Sequence, residues 1–139
     1  MSAADILRGT ARLLIDLGYA PVPEFTLASG RRVDLMAANA AGLLLVVEIK
    51  SSVADFRADR KWHEYLDYCD RFCFAVDAAF PQDLLPADAG LIVADRYGGE
   101  LLREGPQRPL APARRRALTL QLALAAAQKL WRDTALPPG

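Results

Sequence analysis

Apolar positions along the chain follow two periods. Ile6, Leu13 and Leu17, with Leu7 and Leu14 alongside, recur at helical spacing over residues 3–17. Gly18 follows the last of them and suits a left-handed C-terminal cap. Pro21 and Pro23 keep the helix from continuing. Two short alternating runs, 24–27 and 31–36, then flank Ala28-Ser29-Gly30, which predicts a hairpin with Gly30 in the left-handed position. Residues 38–42 form a second turn. The near-continuous apolar run 43–49 reads as a strand covered on both faces. Ser52 with Asp55 three residues later predicts a capped helix, opening at 51–54 and running to about Cys69. Its inward stripe would be Ala58, Trp62, Tyr65, Leu66 and Cys69. A fourth strand follows at 71–76. Residues 90–95 and 100–104 read as a hairpin closed through Gly98-Gly99. A last helix, about 113–132, is apolar on nearly every side and is expected to be heavily buried. The order predicts an α/β chain with a mixed sheet flanked by helices.

The length of 139 residues suits a single domain over 1–139, with a core at about 3–104 and the last helix appended. A 53% hydrophobic and 24% charged composition excludes a disordered chain. No apolar run is long enough to span a membrane. The first residues lack a basic-then-apolar signal pattern, so the cytoplasm is the expected compartment.

Net charge is zero, which argues against constitutively tight binding to nucleic acid. The charge is uneven, however. Residues 51–100 carry five basic and ten acidic side chains, whereas 101–139 carry seven and two. One end of the chain could therefore face phosphates. Cys69 and Cys73 are the only cysteines, and with His63 they are too few for a structural zinc site. They read as buried thiols, and His63 as a surface or boundary residue.

One cluster resists a packing explanation. Glu48 and Lys50 lie two residues apart at the end of the apolar strand, so both project from one face. Asp34 sits among apolar neighbours in the preceding strand. Antiparallel pairing of those strands would bring Asp34 within a few ångströms of Glu48. Two carboxylates that close repel unless a proton or a cation intervenes. With a backbone carbonyl they form a hard oxygen set suited to Mg²⁺. Such an ion, with a lysine beside it, supplies the parts for metal-assisted phosphodiester hydrolysis. The plainer reading is a salt bridge at a strand end.

Asp34, then Glu48-Ile49-Lys50 closing a hydrophobic strand after a helix and hairpin, resembles the PD-(D/E)XK nuclease superfamily, whose restriction-endonuclease-like core orders helix, three strands, helix and strand. More closely, the stretches GRRVDLMA, VVEIKSSVADFRADRKWHEYLDYCDRFCFAV and GLIVADRYGGELLRE resemble the MmcB-like DNA repair proteins over about residues 5–130. Val33 stands where the superfamily often has proline. The resemblance implies Asp34, Glu48 and the Ile49 carbonyl as ligands of Mg²⁺ or Mn²⁺, and Lys50 as the catalytic lysine. It also implies an acidic residue near the first helix or first strand, with Glu24 the candidate and Asp5 behind it. The implied partner is DNA, damaged or branched, together with other repair proteins.

Asp55 and Asp59 share the inward stripe of the helix after the site and would hold Lys50 or Lys61. Ser51, Arg57 and Lys61 are candidate DNA contacts, as are Arg114, Arg115 and Arg116 at the start of the last helix. That triplet is locally unfavourable beside a helix N-terminus, and a phosphate would relieve it. Surface arginines pairing with the acidic middle of the chain explain it equally well. Two functions stay open: a metal-dependent deoxyribonuclease acting in repair, and a non-catalytic DNA-structure binding module. A homodimer would supply recognition surface that so short a chain lacks, although the sequence itself does not show one.

Overall fold

A computed structural model describes residues 1–134 and 136–139. Helix α1 (Ala3–Asp16) is capped by Ser2, whose hydroxyl accepts from the Asp5 amide, and ends before Gly18 at φ 90°. Six strands follow: β1 (Tyr19–Thr26), β2 (Arg32–Asn39), β3 (Leu44–Ile49), β4 (Arg71–Val76), β5 (Gly90–Ala94) and β6 (Gly99–Arg103). They form one sheet in sequence order. β1–β2–β3 and β5–β6 pair antiparallel, while β3–β4–β5 pair parallel. This is the mixed sheet that the sequence predicts. The parallel step from β3 to β4 uses a crossover: helix α2 (Val53–Ala58) followed by a 3-10 helix, Trp62–Tyr68. Helix α3 (Pro112–Arg132) closes the chain.

β3 shows why two layers are needed. All six of its residues are buried, and alternate side chains enter separate cores. Leu45, Val47 and Ile49 pack with Ile6 and Leu14 of α1. Leu44 and Val46 pack with Trp62, Tyr65, Phe72 and Phe74, and with Leu118 and Leu122 of α3. α1 fits its face only because Gly9 has no side chain. A Cβ there would lie 1.8 Å from the Asp95 carbonyl oxygen and 2.5 Å from that of Gly98. Gly9→Ala is therefore expected to lower unfolding stability by about 1–3 kcal/mol, measured in urea melts.

Four expectations need correction. β1 starts at Tyr19 and includes both prolines, because it is an edge strand where missing N–H donors are tolerated. The crossover is not one helix to Cys69. It breaks after Ala58, where the Asp59 carboxylate accepts from the Lys61 amide and diverts the backbone from helical pairing. Ala58 is accordingly exposed, while Trp62, Tyr65 and Cys69 are buried as the stripe predicts. Finally, α3 is not heavily buried: only Leu118 and Leu122 are fully covered. The β5–β6 turn is also built differently, by the Asp95 side chain, which accepts from the Tyr97 and Gly98 amides.

Candidate active site

The β2–β3 ladder is regular through Leu35 and Val47. One step further, Asp34 and Glu48 lie across from each other. There the ladder gives way to a side chain: the Asp34 carboxylate accepts a 2.7 Å hydrogen bond from the Ile49 amide. Glu48 projects from the same face as Leu44 and Val46, and Lys50 follows it two residues on. Both are buried, with the Lys50 side chain only 8% exposed. Burial pushes the Glu48 carboxyl well above the ordinary carboxylate range, and the adjoining Asp34 carboxyl pushes it further, with Lys50 offsetting only part. Burial also pushes the Tyr65 phenol up to about 12, helped by the negative charge of Glu48 beside it.

The Lys50 ammonium donates to Asp59 at 2.7 Å. Burial would raise the Asp59 carboxyl, but the Lys50 ammonium and the Lys61 amide outweigh it and hold it below the usual range. The helix break described above is thus what delivers a carboxylate to the lysine. Asp55 lies at the cleft as well, yet it is exposed and its carboxylate accepts from the Ser51 amide at 3.3 Å, away from Lys50.

These groups line a cleft of about 540 Å³. Glu24, Asp34, Glu48, Ile49 and Lys50 all border it. Glu24 reaches it from β1, with its backbone at φ 53°, the one non-glycine residue with positive φ among the described residues. A side chain held in the left-handed region costs on the order of 1–3 kcal/mol, a strain that concentrates at functional sites. Its exposed carboxylate pairs with Arg32 at 3.6 Å. Asp5 is turned to Arg8 and Arg96 and does not line the cleft.

The proposed DNA contacts are dispersed. Ser51 is half-buried at the exit of β3, and Arg57 and Lys61 are exposed around α2. Arg115 is occupied within the fold. Its guanidinium bonds the Asp70 carboxylate and the Gly42 carbonyl, at the opposite end of β3 from Glu48. Arg114 donates to the Asp67 carbonyl and lies over the Tyr68 ring, whereas Arg116 is exposed. The sequence reading missed Arg32 and Tyr65 as cleft residues. Strand alternation could have found Arg32, two positions before Asp34. Tyr65 sits in an apolar stripe and carried no such signal. Cys69 and Cys73 are buried, as expected, and burial pushes both thiols up to about 12.

The sequence profile described as DNA repair protein MmcB-like matches residues 1–135. The chain belongs to the MmcB-like family. A solved structure, the SPO1766 protein of unknown function from Silicibacter pomeroyi, is 47% identical to this MmcB-like chain. The match covers 94% of this chain and 89% of that one, with a TM-score of 0.91. No curated protein matches. Family membership associates the chain with DNA repair and with DNA. Among the described residues, no helix of this MmcB-like protein is long and apolar enough to cross a membrane.

Proposed function

We propose that this MmcB-like protein is a Mg²⁺- or Mn²⁺-dependent deoxyribonuclease of the PD-(D/E)XK type, acting on damaged or branched DNA. The observation that supports this reading is the pairing of Asp34 and Glu48 in a cleft beside Lys50. Two adjoining carboxylates in a buried setting favour a proton or a dication between them. The donor set is all oxygen, which fits Mg²⁺ better than a softer metal. Asp34, Glu48 and the Ile49 carbonyl would hold the ion. When bound, it polarises a phosphoryl oxygen and acidifies a water.

The chain's own groups do the rest. Asp59 fixes the Lys50 ammonium, which keeps two further N–H donors for a phosphate oxygen and the charge that develops on it. Glu24 and Arg32, which pair with each other at 3.6 Å, give the β1–β2 side of the cleft one charge of each sign. Ser51, at the exit of β3, and the exposed Arg57 and Lys61 around α2 are the phosphate contacts this reading calls for.

A second reading, a DNA-structure binding module that does not cut, has one observation in its favour. The raised Glu48 carboxyl can meet Asp34 through a proton in place of an ion. Cleavage of end-labelled single-stranded, duplex, nicked, flapped and four-way DNA, with Mg²⁺, Mn²⁺ or EDTA, decides between them. Metal-dependent cutting that disappears in Lys50→Ala supports the nuclease. Structure-selective binding with no cutting under any metal overturns it. Asp59→Asn is expected to cut about 10–100-fold more slowly, the usual loss when a supporting partner is removed.

A further inference from the structure

α3 carries two apolar stripes on opposite faces. One holds Leu118, Leu122 and Ala125 and packs onto the sheet. The other holds Ala113, Ala117, Leu120, Leu124, Ala127 and Trp131, and every one of these is exposed. Leu120 is 62% exposed, Leu124 52% and Trp131 54%. Their spacing alternates four and three residues along the whole helix, the seam of a two-helix pair. At 1.5 Å per residue the seam is roughly 27 Å long.

We infer that this seam is a self-association surface, on which α3 of a second copy of the chain packs antiparallel. The order of residue sizes points to a second copy. Placed about a two-fold axis at the middle of the seam, Leu120 of one copy meets Leu124 of the other. Ala117 then meets Ala127, and Ala113 meets Trp131. Leucine opposes leucine, small opposes small, and the one large residue falls opposite a small one. The stripe is its own complement, as a two-fold interface requires.

Charge favours the same orientation. From Pro112 to Arg132, α3 contains no acidic residue, and Arg114 and Arg116, of which Arg114 already contacts Asp67 and Tyr68, flank the seam at its start. Parallel packing would set both N-terminal arginine groups side by side, with helix dipoles aligned. Antiparallel packing sets Arg116 across from Gln128 and Arg114 across from Leu130, so each end of the pair gathers one arginine triplet with Lys129 and Arg132 in place of two triplets. The exposed Arg116 then lies near Trp131 of the other copy, where its guanidinium can stack on the indole. The alanines permit the close approach, about 8 Å between axes, that such a seam needs.

The test uses the full chain and reads mass, not cleavage, so its failure and that of the nuclease reading are separable. Sedimentation equilibrium at roughly 1–200 µM covers the affinities of a small interface. The wild type is expected to pass from monomer to a species of twice the mass. Leu124→Glu, checked as folded by circular dichroism, should weaken that association by about 100-fold. Cysteine pairing tests orientation, since both native thiols are buried. A mixture of Ala117→Cys and Ala127→Cys chains should form the mixed disulfide dimer, with little of either homodimer. A monomer throughout the range overturns the inference, as does a dimer that Leu124→Glu leaves intact. Self-crosslinking of Ala117→Cys alone would show parallel packing and overturn it equally.

Discussion

Glu48→Gln is expected to reduce metal-dependent DNA cleavage by more than about 100-fold while leaving the fold at least as stable. The loss should exceed that of altering a supporting partner, because the carboxylate itself is removed from the ion. The intact fold follows from the electrostatics. Glu48 is a buried carboxyl whose charged form is opposed by burial and by Asp34. A glutamine of the same shape gains an amide that can donate toward Asp34. The metal-free variant should therefore melt no lower than the wild type. Adding Mn²⁺ should raise the wild-type melting temperature, since a ligand that binds only the folded state stabilises it. The variant should show little of that shift. A variant that retains cleavage, or that loses it only through unfolding, would count against Glu48 as a ligand.

The second large effect concerns stability, at Asp70. This carboxylate is 1% exposed and accepts from the Leu44 amide at 2.8 Å, the Leu110 amide at 3.1 Å and the Arg115 guanidinium. Its own amide donates to the Leu44 carbonyl, and its carbonyl accepts from the Arg108 amide. One residue thus ties the start of β3, the link after β6 and the first turn of α3. Asp70→Ala is expected to cost about 3–5 kcal/mol, because several buried donors lose their acceptor together. Asp70→Asn retains one acceptor oxygen and should cost less. Burial alone would raise the Asp70 carboxyl, but Arg115 and the two amides outweigh it and hold it below the ordinary range. The sign follows. The unfolded chain takes up the proton first as pH falls, so the stabilisation is full above the ordinary aspartate value. It is lost as pH drops through the lower folded value. Urea melts of wild type and Asp70→Ala should therefore converge in strong acid, and a gap independent of pH would refute this account.

The cleft was more legible in the sequence than its supports. Asp34, Glu48 and Lys50 stand out because each is a charge inside an apolar strand, and the period of two puts them on one face. Nothing local marks Asp70, whose partners lie as far as 45 residues away. Nor does local pattern reveal that Asp59 would end a helix in order to reach Lys50. The last helix misled for a different reason. Apolar residues on opposite sides read as burial all round, whereas only one side meets the sheet. The element order of the sheet was readable throughout, since glycine turns and apolar runs specify it locally.

Asp34 holds two offices at once. The oxygen that accepts from the Ile49 amide acts as the final rung between β2 and β3, so the mouth of the cleft is a fork wedged by a carboxylate. Truncating this side chain would let the fork zip or fray, and lost activity could not then be assigned to chemistry. Asparagine is the informative replacement, because its carbonyl can keep the rung while its charge is gone. Hydrogen exchange at the Ile49 amide provides the control: unchanged protection in Asp34→Asn would certify that only the charge has been removed.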